Sequence, residues 1–157
     1  MATGRLIGIA RHARPRGPME ELQSVTVTVA AGVQGDFRGA VRPGRKPKRQ
    51  VSLIEVESWR DALDDLVLSG SDAPAWSARR ANFLVEGLRL PREAGYILTI
   101  GDSVRISVTM ECDPCSRMEE IAPGLKAALT PDWRGGVLGA VLEGGEITVG
   151  DEIRIER

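Results

Sequence analysis

The chain is poor in the residues that build metal sites and disulfide frameworks, with two cysteines and one histidine among 157 residues. A closed structural zinc site needs four Cys or His ligands, or carboxylates in their place. His12 lies about a hundred positions before Cys112 and Cys115, so we expect no zinc. A chain of this length buries a sufficient core without disulfides.

Long apolar runs are also missing, and none approaches the roughly 20 residues that span a bilayer. At the N-terminus, the apolar run 6–10 is interrupted by Arg11 and His12, which is too short for the core of a signal peptide. We therefore expect no membrane segment and a cytoplasmic location, in which thiols stay reduced.

Acidic residues are scarce in the first third of the chain. Residues 1–54 contain ten Lys or Arg and three acids, whereas the remainder contains eleven basic and nineteen acidic residues. The net charge of −1 conceals this asymmetry. It indicates an anionic ligand near the first third, although any one of these arginines taken alone is an ordinary surface charge.

Short segments of alternating apolar and polar residues dominate the chain and predict strands. They lie at 5–11, 24–29, 50–54, 82–86, 96–100, 103–110, 137–142, 146–149 and 152–156. Many short strands separated by Gly-rich turns predict a mainly β fold, a barrel or a sandwich. The segments 98–107 and 147–156 resemble each other, each with a Gly-Asp turn between two strands.

Helices are predicted to be few. Apolar residues at helical spacing predict one helix over 55–70, ended by Gly70. Shorter helices are predicted at about 113–121 and 124–130, and exposed loops at 38–49 and 70–77. No linker divides the chain, so 1–157 is expected to form one domain.

The stretch "ECDPCSRMEE" (111–120) brings both cysteines within three positions. A thioredoxin-like C-x-x-C motif belongs to a βαβ pattern, which these all-β surroundings do not favour. Asp113 as N-cap and Pro114 as first helical residue would put Cys115 in the first turn of a helix. A helix N-terminus favours a reactive thiolate, and Arg117 would add positive charge.

Cys112 continues the apolar phase of the strand 103–110, and is therefore predicted to point inward as a small apolar residue. The alternative that Cys112 and Cys115 are both inert core cysteines stays open from this stretch alone.

Residues 36–50 form a basic loop. Between positions 38 and 49 there are six cations and no acid; the cations are Arg38, Arg42, Arg45, Lys46, Lys48 and Arg49. Arg and Lys are the usual phosphate donors. Aromatic residues make up 4% of the chain and only Phe37 adjoins the loop, so a base-stacking platform for nucleic acid is lacking. A small phosphorylated ligand is favoured over nucleic acid, with a plain flexible loop as the remaining alternative.

A series of motifs, in the same order over nearly the whole chain, resembles the MOSC domain, which is named for the C-terminus of molybdenum cofactor sulfurases. The motifs are "GVQGDFRG" (32–39), "RQVSLIE" (49–55), "RRANFLVEGL" (79–88), "IGDSVRISVT" (100–109), "DPCSRM" (113–118), "PGL" (123–125), "WRGGV" (133–137) and "GGEITVGDEI" (144–153). The resemblance implies a mainly β barrel like that of pyruvate kinase, with a few short helices.

The same resemblance implies one key cysteine, which falls on Cys115. In relatives this sulfur ligates the molybdenum of a pyranopterin cofactor or is proposed to carry sulfur as a persulfide. Thiolate is a soft metal ligand, and Arg38, Arg45, Lys46 and Lys48 would suit the terminal phosphate of the cofactor.

Further site residues are implied by matching motif positions. Gly35 and Asp36 are expected to have structural roles, and Asn82 either orients ligand or ties a loop. The candidate anion contacts are Arg49, Arg79, Arg80 and Arg134.

The chain also departs from its relatives. Many have a His soon after the Gly-Asp step, where Phe37 and Arg38 stand here. The extra barrel domain, redox modules and desulfurase domain of larger relatives are absent from the sequence. If the chain reduces N-hydroxylated compounds, as some relatives do, electrons must come from a partner; if it carries a Cys115 persulfide, a partner must donate the sulfur.

Overall fold

The computed structural model describes residues 2–156, which form eleven strands and three α-helices. The strands are β1 Thr3–Arg11, β2 Glu20–Leu22, β3 Ser24–Thr28, β4 Gly32–Val33, β5 Val51–Glu55, β6 Phe83–Glu86, β7 Ile97–Ile100, β8 Val104–Glu111, β9 Val137–Glu143, β10 Gly145–Thr148 and β11 Glu152–Glu156. The helices are α1 Val56–Asp65, α2 Arg117–Ile121 and α3 Leu125–Leu129, with 3₁₀ turns at Gly70–Asp72, Trp76–Arg79 and Pro131–Trp133.

Seven strands close into a barrel. The order around it is β1, β6, β5, β9, β8, β7 and β11, which pairs back onto β1. Neighbours are antiparallel except β5 and β6, which run parallel because α1 and two 3₁₀ turns carry the chain between them. A smaller sheet pairs β10, β3 and β4. The predicted mainly β barrel is confirmed.

The alternation of strand residues divides the core into two clusters. Leu53, Phe83 and Val85 face the barrel interior, whereas Ile54 and Leu84 point outward beneath the helices. Because successive strand side chains point to opposite faces, β5 and β6 supply both layers. The helices therefore cover one side of the barrel.

The predicted strands are confirmed within about two residues at each end, an uncertainty that is normal for element boundaries. The strands β2 and β4 were missed because two or three residues are too short to show alternation. The two Gly-Asp repeats also differ in pairing. The strands β7 and β8 pair with each other, whereas β10 pairs with β3 and β11 with β7.

The first helix ends earlier than predicted. Val67 has φ +56° and is 89% exposed, and the amides of Val67 and Leu68 donate to the carbonyls of Asp64 and Leu63. These two bonds form a Schellman C-cap, in which Val67 takes the left-handed position that glycine usually occupies. The prediction that the helix continues to Gly70 was wrong. No helix within residues 2–156 is long and apolar enough to cross a membrane.

Candidate functional site

A pocket of about 370 Å³ lies at the end of the barrel where β1 and β8 end and β6 and β9 begin. We call it the cysteine pocket. Its ionisable and sulfur-bearing lining residues are His12, Asp36, Arg38, Arg49, Arg79, Arg80, Cys112, Asp113, Cys115, Arg117 and Met118. The closure of the barrel thus brings together segments that lie far apart in the sequence.

Cys115 is exposed and lines this pocket. The predicted helix over 113–121 is shorter than expected: α2 begins at Arg117, with Ser116 as N-cap. Cys115 therefore precedes the helix, although its carbonyl accepts the amide of Met118 at 2.9 Å. The first-turn position expected for Cys115 was wrong, because Cys112 N–H instead donates to Gly136 O and holds the chain against the start of β9.

Cys112 is half-buried and lines the same pocket. The Arg79 Nη2 group donates to the Cys112 sulfur at 3.2 Å. The inward, apolar position predicted for Cys112 was wrong. The register between β8 and β9 shifts after Val108, and Met110 is 37% exposed, so the apolar phase does not extend to Cys112.

Arg79 is 7% exposed and holds the floor of the pocket together. Its Nη2 group also donates to the carbonyls of Cys112 at 2.9 Å and Gly135 at 3.0 Å. A Cβ on Gly135 would lie 3.1 Å from Arg79 Nη2, and one on Gly136 would collide with the carbonyl of Leu53. The two glycines are needed for this close approach. The Arg79 Nε group is buried without a partner among the described residues.

His12 and Asp36 form a buried pair beside the sulfurs. The Asp36 Oδ1 atom accepts the His12 amide at 3.0 Å and lies 3.5 Å from His12 Nδ1. The Nδ1 atom has no hydrogen-bond partner within residues 2–156. Burial lowers the pKa of His12; Asp36 opposes this shift, and Arg80, Arg38 and Arg117 add to it.

Three guanidinium groups share this side of the pocket. Burial, followed by the charges of Arg117 and Arg38, lowers the pKa of Arg80. The backbone of Arg80 is left-handed, at φ 67° and ψ 27°, and its Nη2 group donates to Gly17 O at 2.7 Å. Positive φ is uncommon for a residue with a side chain. The like charges repel one another across the pocket.

The carboxylates near the sulfurs do not balance these cations. Asp113 is exposed, and Glu111 lies beside it. Burial, and then the charge of Asp113, raise the pKa of Glu111. A side-chain hydrogen bond with Asp113 also raises the pKa of Glu111. Within residues 2–156, Glu111 and Asp113 thus interact with each other, and neither forms an ion pair with an arginine.

Asn82 ties three segments of the barrel end. Its Oδ1 atom accepts the Ser52 amide at 3.0 Å, and its Nδ2 group donates to Ala10 O at 3.2 Å. Because Asn82 is 5% exposed, these bonds account for its position as a structural tie between β1 and β5. It still contributes to the pocket lining.

The basic loop surrounds a second cavity of about 620 Å³, which we call the loop cleft. Arg45, Lys46 and Lys48 line this cleft and not the cysteine pocket. Arg38 and Arg49 line both. The two cavities are therefore neighbours with two cations at their boundary.

Arg134 lies elsewhere. Its Nη1 group is bound to Asp65 Oδ2 at 2.5 Å and to Ala128 O at 2.9 Å, and it lines a separate cleft. The barrel end thus brings Arg38, Arg49, Arg79 and Arg80 together with Cys115, but not Arg134. Arg134, which was predicted to contact an anion, is paired instead with the carboxylate of Asp65.

His12 was missed as a pocket residue by sequence reasoning. The nearest sequence signal was its position directly after a predicted strand, but its partner Asp36 lies 24 residues later. Within the described range 2–156, no three His, Cys, Asp or Glu side chains are grouped in a way that could hold a metal ion. The donors that this pocket offers to a soft metal are its cysteine sulfurs.

Comparison with known proteins agrees with this architecture. The MOSC domain family model matches residues 35–154. The YuaD protein of Bacillus subtilis is 17% identical with a TM-score of 0.79, covering 98% of this chain and 95% of that one. YiiM of Escherichia coli is 14% identical with a TM-score of 0.69, covering 98% and 70%. YiiM of Geobacillus stearothermophilus is 15% identical with a TM-score of 0.60, covering 98% and 73%. A search of curated proteins finds no match.

Proposed function

Since the chain belongs to the MOSC domain family, we propose that its cysteine pocket binds molybdenum cofactor through the sulfur of Cys115. The observation that carries this proposal is the exposed Cys115 in a pocket lined by five arginines. A soft thiolate ligand beside a cationic wall suits a metal centre on an anionic organic group.

The residues present fit such a group at both ends. The Nε atom of buried Arg79 has no partner within residues 2–156, which is unusual for a buried polar atom and leaves a donor for a ligand. The adjoining loop cleft supplies Arg45, Lys46 and Lys48 for a phosphate. The loop cleft, at about 620 Å³, and the cysteine pocket, at about 370 Å³, each have the volume of an ordinary ligand site.

When bound, the cofactor supplies a molybdenum centre capable of redox chemistry with a substrate. The chain supplies the rest: Cys115 as ligand, Arg38 and Arg49 at the boundary of the two cavities, and the Arg79 network that holds the floor rigid. Reduction of N-hydroxylated compounds is the activity we propose. Its electrons would come from a separate protein.

The test is elemental analysis for molybdenum in chains produced in a host that makes the cofactor. We expect close to one equivalent in the wild type and none in Cys115→Ser. Cys112→Ser should keep the metal if Cys115 alone is the ligand. A wild type without molybdenum, although folded and made in such a host, would rule out the cofactor proposal.

The second candidate function is sulfur carriage through a Cys115 persulfide. The exposure of Cys115 favours it, because a carrier sulfur must reach both donor and acceptor. Incubation with a cysteine desulfurase should raise the intact mass by about one sulfur atom. An adduct that persists in Cys115→Ala, or none at all, would contradict this function.

A further inference from the structure

Two arginines that line the pocket of Cys115 are available to bind a ligand. Among residues 2–156, the guanidinium groups of Arg38 and Arg117 make no hydrogen bond or ion pair, although both line the cysteine pocket. Arg80 lines the same pocket, and among the described residues its guanidinium donates one hydrogen bond, to the carbonyl of Gly17. The pocket lining holds five arginines against the two carboxylates of Asp36 and Asp113, and this excess of positive charge favours an anion.

Neighbouring groups strengthen this assignment. Asp36 lines the same pocket, and its charge offsets only one of the arginines there. His12 and Arg79 are 6% and 7% exposed, and each keeps one buried nitrogen without a partner. These observations point to a ligand that is separate from the phosphate proposed for the loop cleft.

The position of the thiol narrows the class of anion. Cys115 lies in the same small pocket as the three cations, so an anion bound by them would be presented to a nucleophilic sulfur. Guanidinium groups bind sulfur and phosphorus oxyanions through paired N–H donors. An oxyanion that also carries an electrophilic sulfur would use both features of the pocket.

We propose that Cys115 takes a sulfur atom directly from thiosulfate, which Arg38, Arg80 and Arg117 bind through its sulfonate oxygens. The inference rests on the sulfur-carrier function and names its donor. It gives this chain a sulfurtransferase activity with an inorganic donor in place of a donor protein.

The step balances without an outside oxidant. The Cys115 thiol first loses its proton to water, and its sulfur then attacks the outer sulfur of thiosulfate. A bond forms between these two sulfurs, and the bond from the outer sulfur to the sulfonate sulfur breaks. Sulfite leaves with the electron pair, and Cys115 becomes a persulfide. The arginines would stabilise the charge that develops on the departing sulfite.

The experiment incubates the reduced full chain with thiosulfate and measures intact mass together with released sulfite. We expect a gain of about one sulfur atom per chain and one equivalent of sulfite, both lost in Cys115→Ser. Arg117→Gln should need about tenfold more thiosulfate for half modification, since one charge-assisted hydrogen bond contributes roughly a factor of ten. Arg60→Gln, an exposed arginine on α1, is the matched control and should behave as the wild type.

Sulfate provides a test that needs no variant. As an unreactive oxyanion it should slow modification of the wild type, whereas chloride at the same ionic strength should slow it less. Equal inhibition by both salts, or equal modification of Arg117→Gln and wild type, would overturn the anion site. A persulfide that forms with a cysteine desulfurase but not with thiosulfate would overturn this inference and leave sulfur carriage standing. Failure with both donors would overturn the two together.

Discussion

The cysteine pocket and the loop cleft are both cationic, but their charges are held in different ways. In the pocket, Arg79 is buried and tied to two carbonyls and a sulfur. In the cleft, Arg45 and Lys46 are exposed. A buried, bonded group has one position, whereas an exposed side chain samples many. The pocket is therefore suited to orienting a reacting group, and the cleft to attracting charge.

The largest effect should come from removing the tie at the pocket floor. Arg79→Met leaves the carbonyls of Cys112 and Gly135 without a donor, and we expect a loss of about 1–3 kcal/mol in the free energy of unfolding. Arg80→Met, which removes one carbonyl bond from a half-buried residue, should cost about 1 kcal/mol or less. Urea unfolding monitored by circular dichroism measures both. Equal losses would mean that the floor does not depend on Arg79.

The loop cleft is held by the buried side chain of Gln50, and replacing this side chain should lower the free energy of unfolding by less. Gln50 is 3% exposed, donates to Val29 O at 2.7 Å and Gly39 O at 3.1 Å, and accepts the Val141 amide at 2.8 Å. Gln50→Ala should cost about 1–2 kcal/mol, because water can reach part of the vacated site.

The same substitution should speed amide hydrogen exchange in 38–49 while leaving the segment 112–116 unchanged. Accelerated exchange in both segments would show that pocket and cleft form one cooperative unit, and would remove the distinction between them.

Neutralising the cleft should change binding and not stability. Arg45→Gln with Lys46→Gln should alter the free energy of unfolding by about 0.5 kcal/mol or less. It should weaken binding of inorganic pyrophosphate roughly fivefold, at about 0.2–1 kcal/mol for each exposed charge. Calorimetric titration measures the affinity. The control with equal charge change, Arg60→Gln with Lys126→Gln, should bind as the wild type; equal weakening would mean that the cleft binds no phosphate specifically.

The smallest effect should be a pH dependence that belongs to the pocket alone. His12 has a lowered pKa in the folded protein, mainly through burial, while the unfolded chain titrates near 6.5. As the pH falls, the unfolded state therefore binds the proton before the folded state does. The contribution of neutral His12 to the free energy of unfolding is fully present above pH 6.5 and is lost as the pH falls through the lower pKa of the folded state.

His12→Gln should lack this loss. Between pH 8 and pH 5.5, the free energy of unfolding should decrease more for the wild type than for the variant. A variant that loses as much stability on acidification would show that another group carries the dependence.

Several features of the site could be predicted from the sequence, and others could not. The strands followed from alternation, the basic loop from composition, and Cys115 from a motif. The position of Cys112 was mispredicted because a shift in register between β8 and β9 cannot be read from alternation. The pairing of Arg134 with Asp65 was also hidden, since it joins residues 69 positions apart.

The sequence alone was enough to predict a mainly β fold, the basic loop and the two cysteines in one short segment, because these depend on local pattern and composition; the barrel followed from the family resemblance. The folded barrel alone shows that His12 meets Asp36, that Arg79 donates to the Cys112 sulfur, and that Arg38 and Arg117 line the pocket of Cys115. Closing a barrel brings distant segments to one end of it. Which side chains meet there depends on strand register and turn geometry. A shift of one residue in register moves every side chain of a strand to its opposite face.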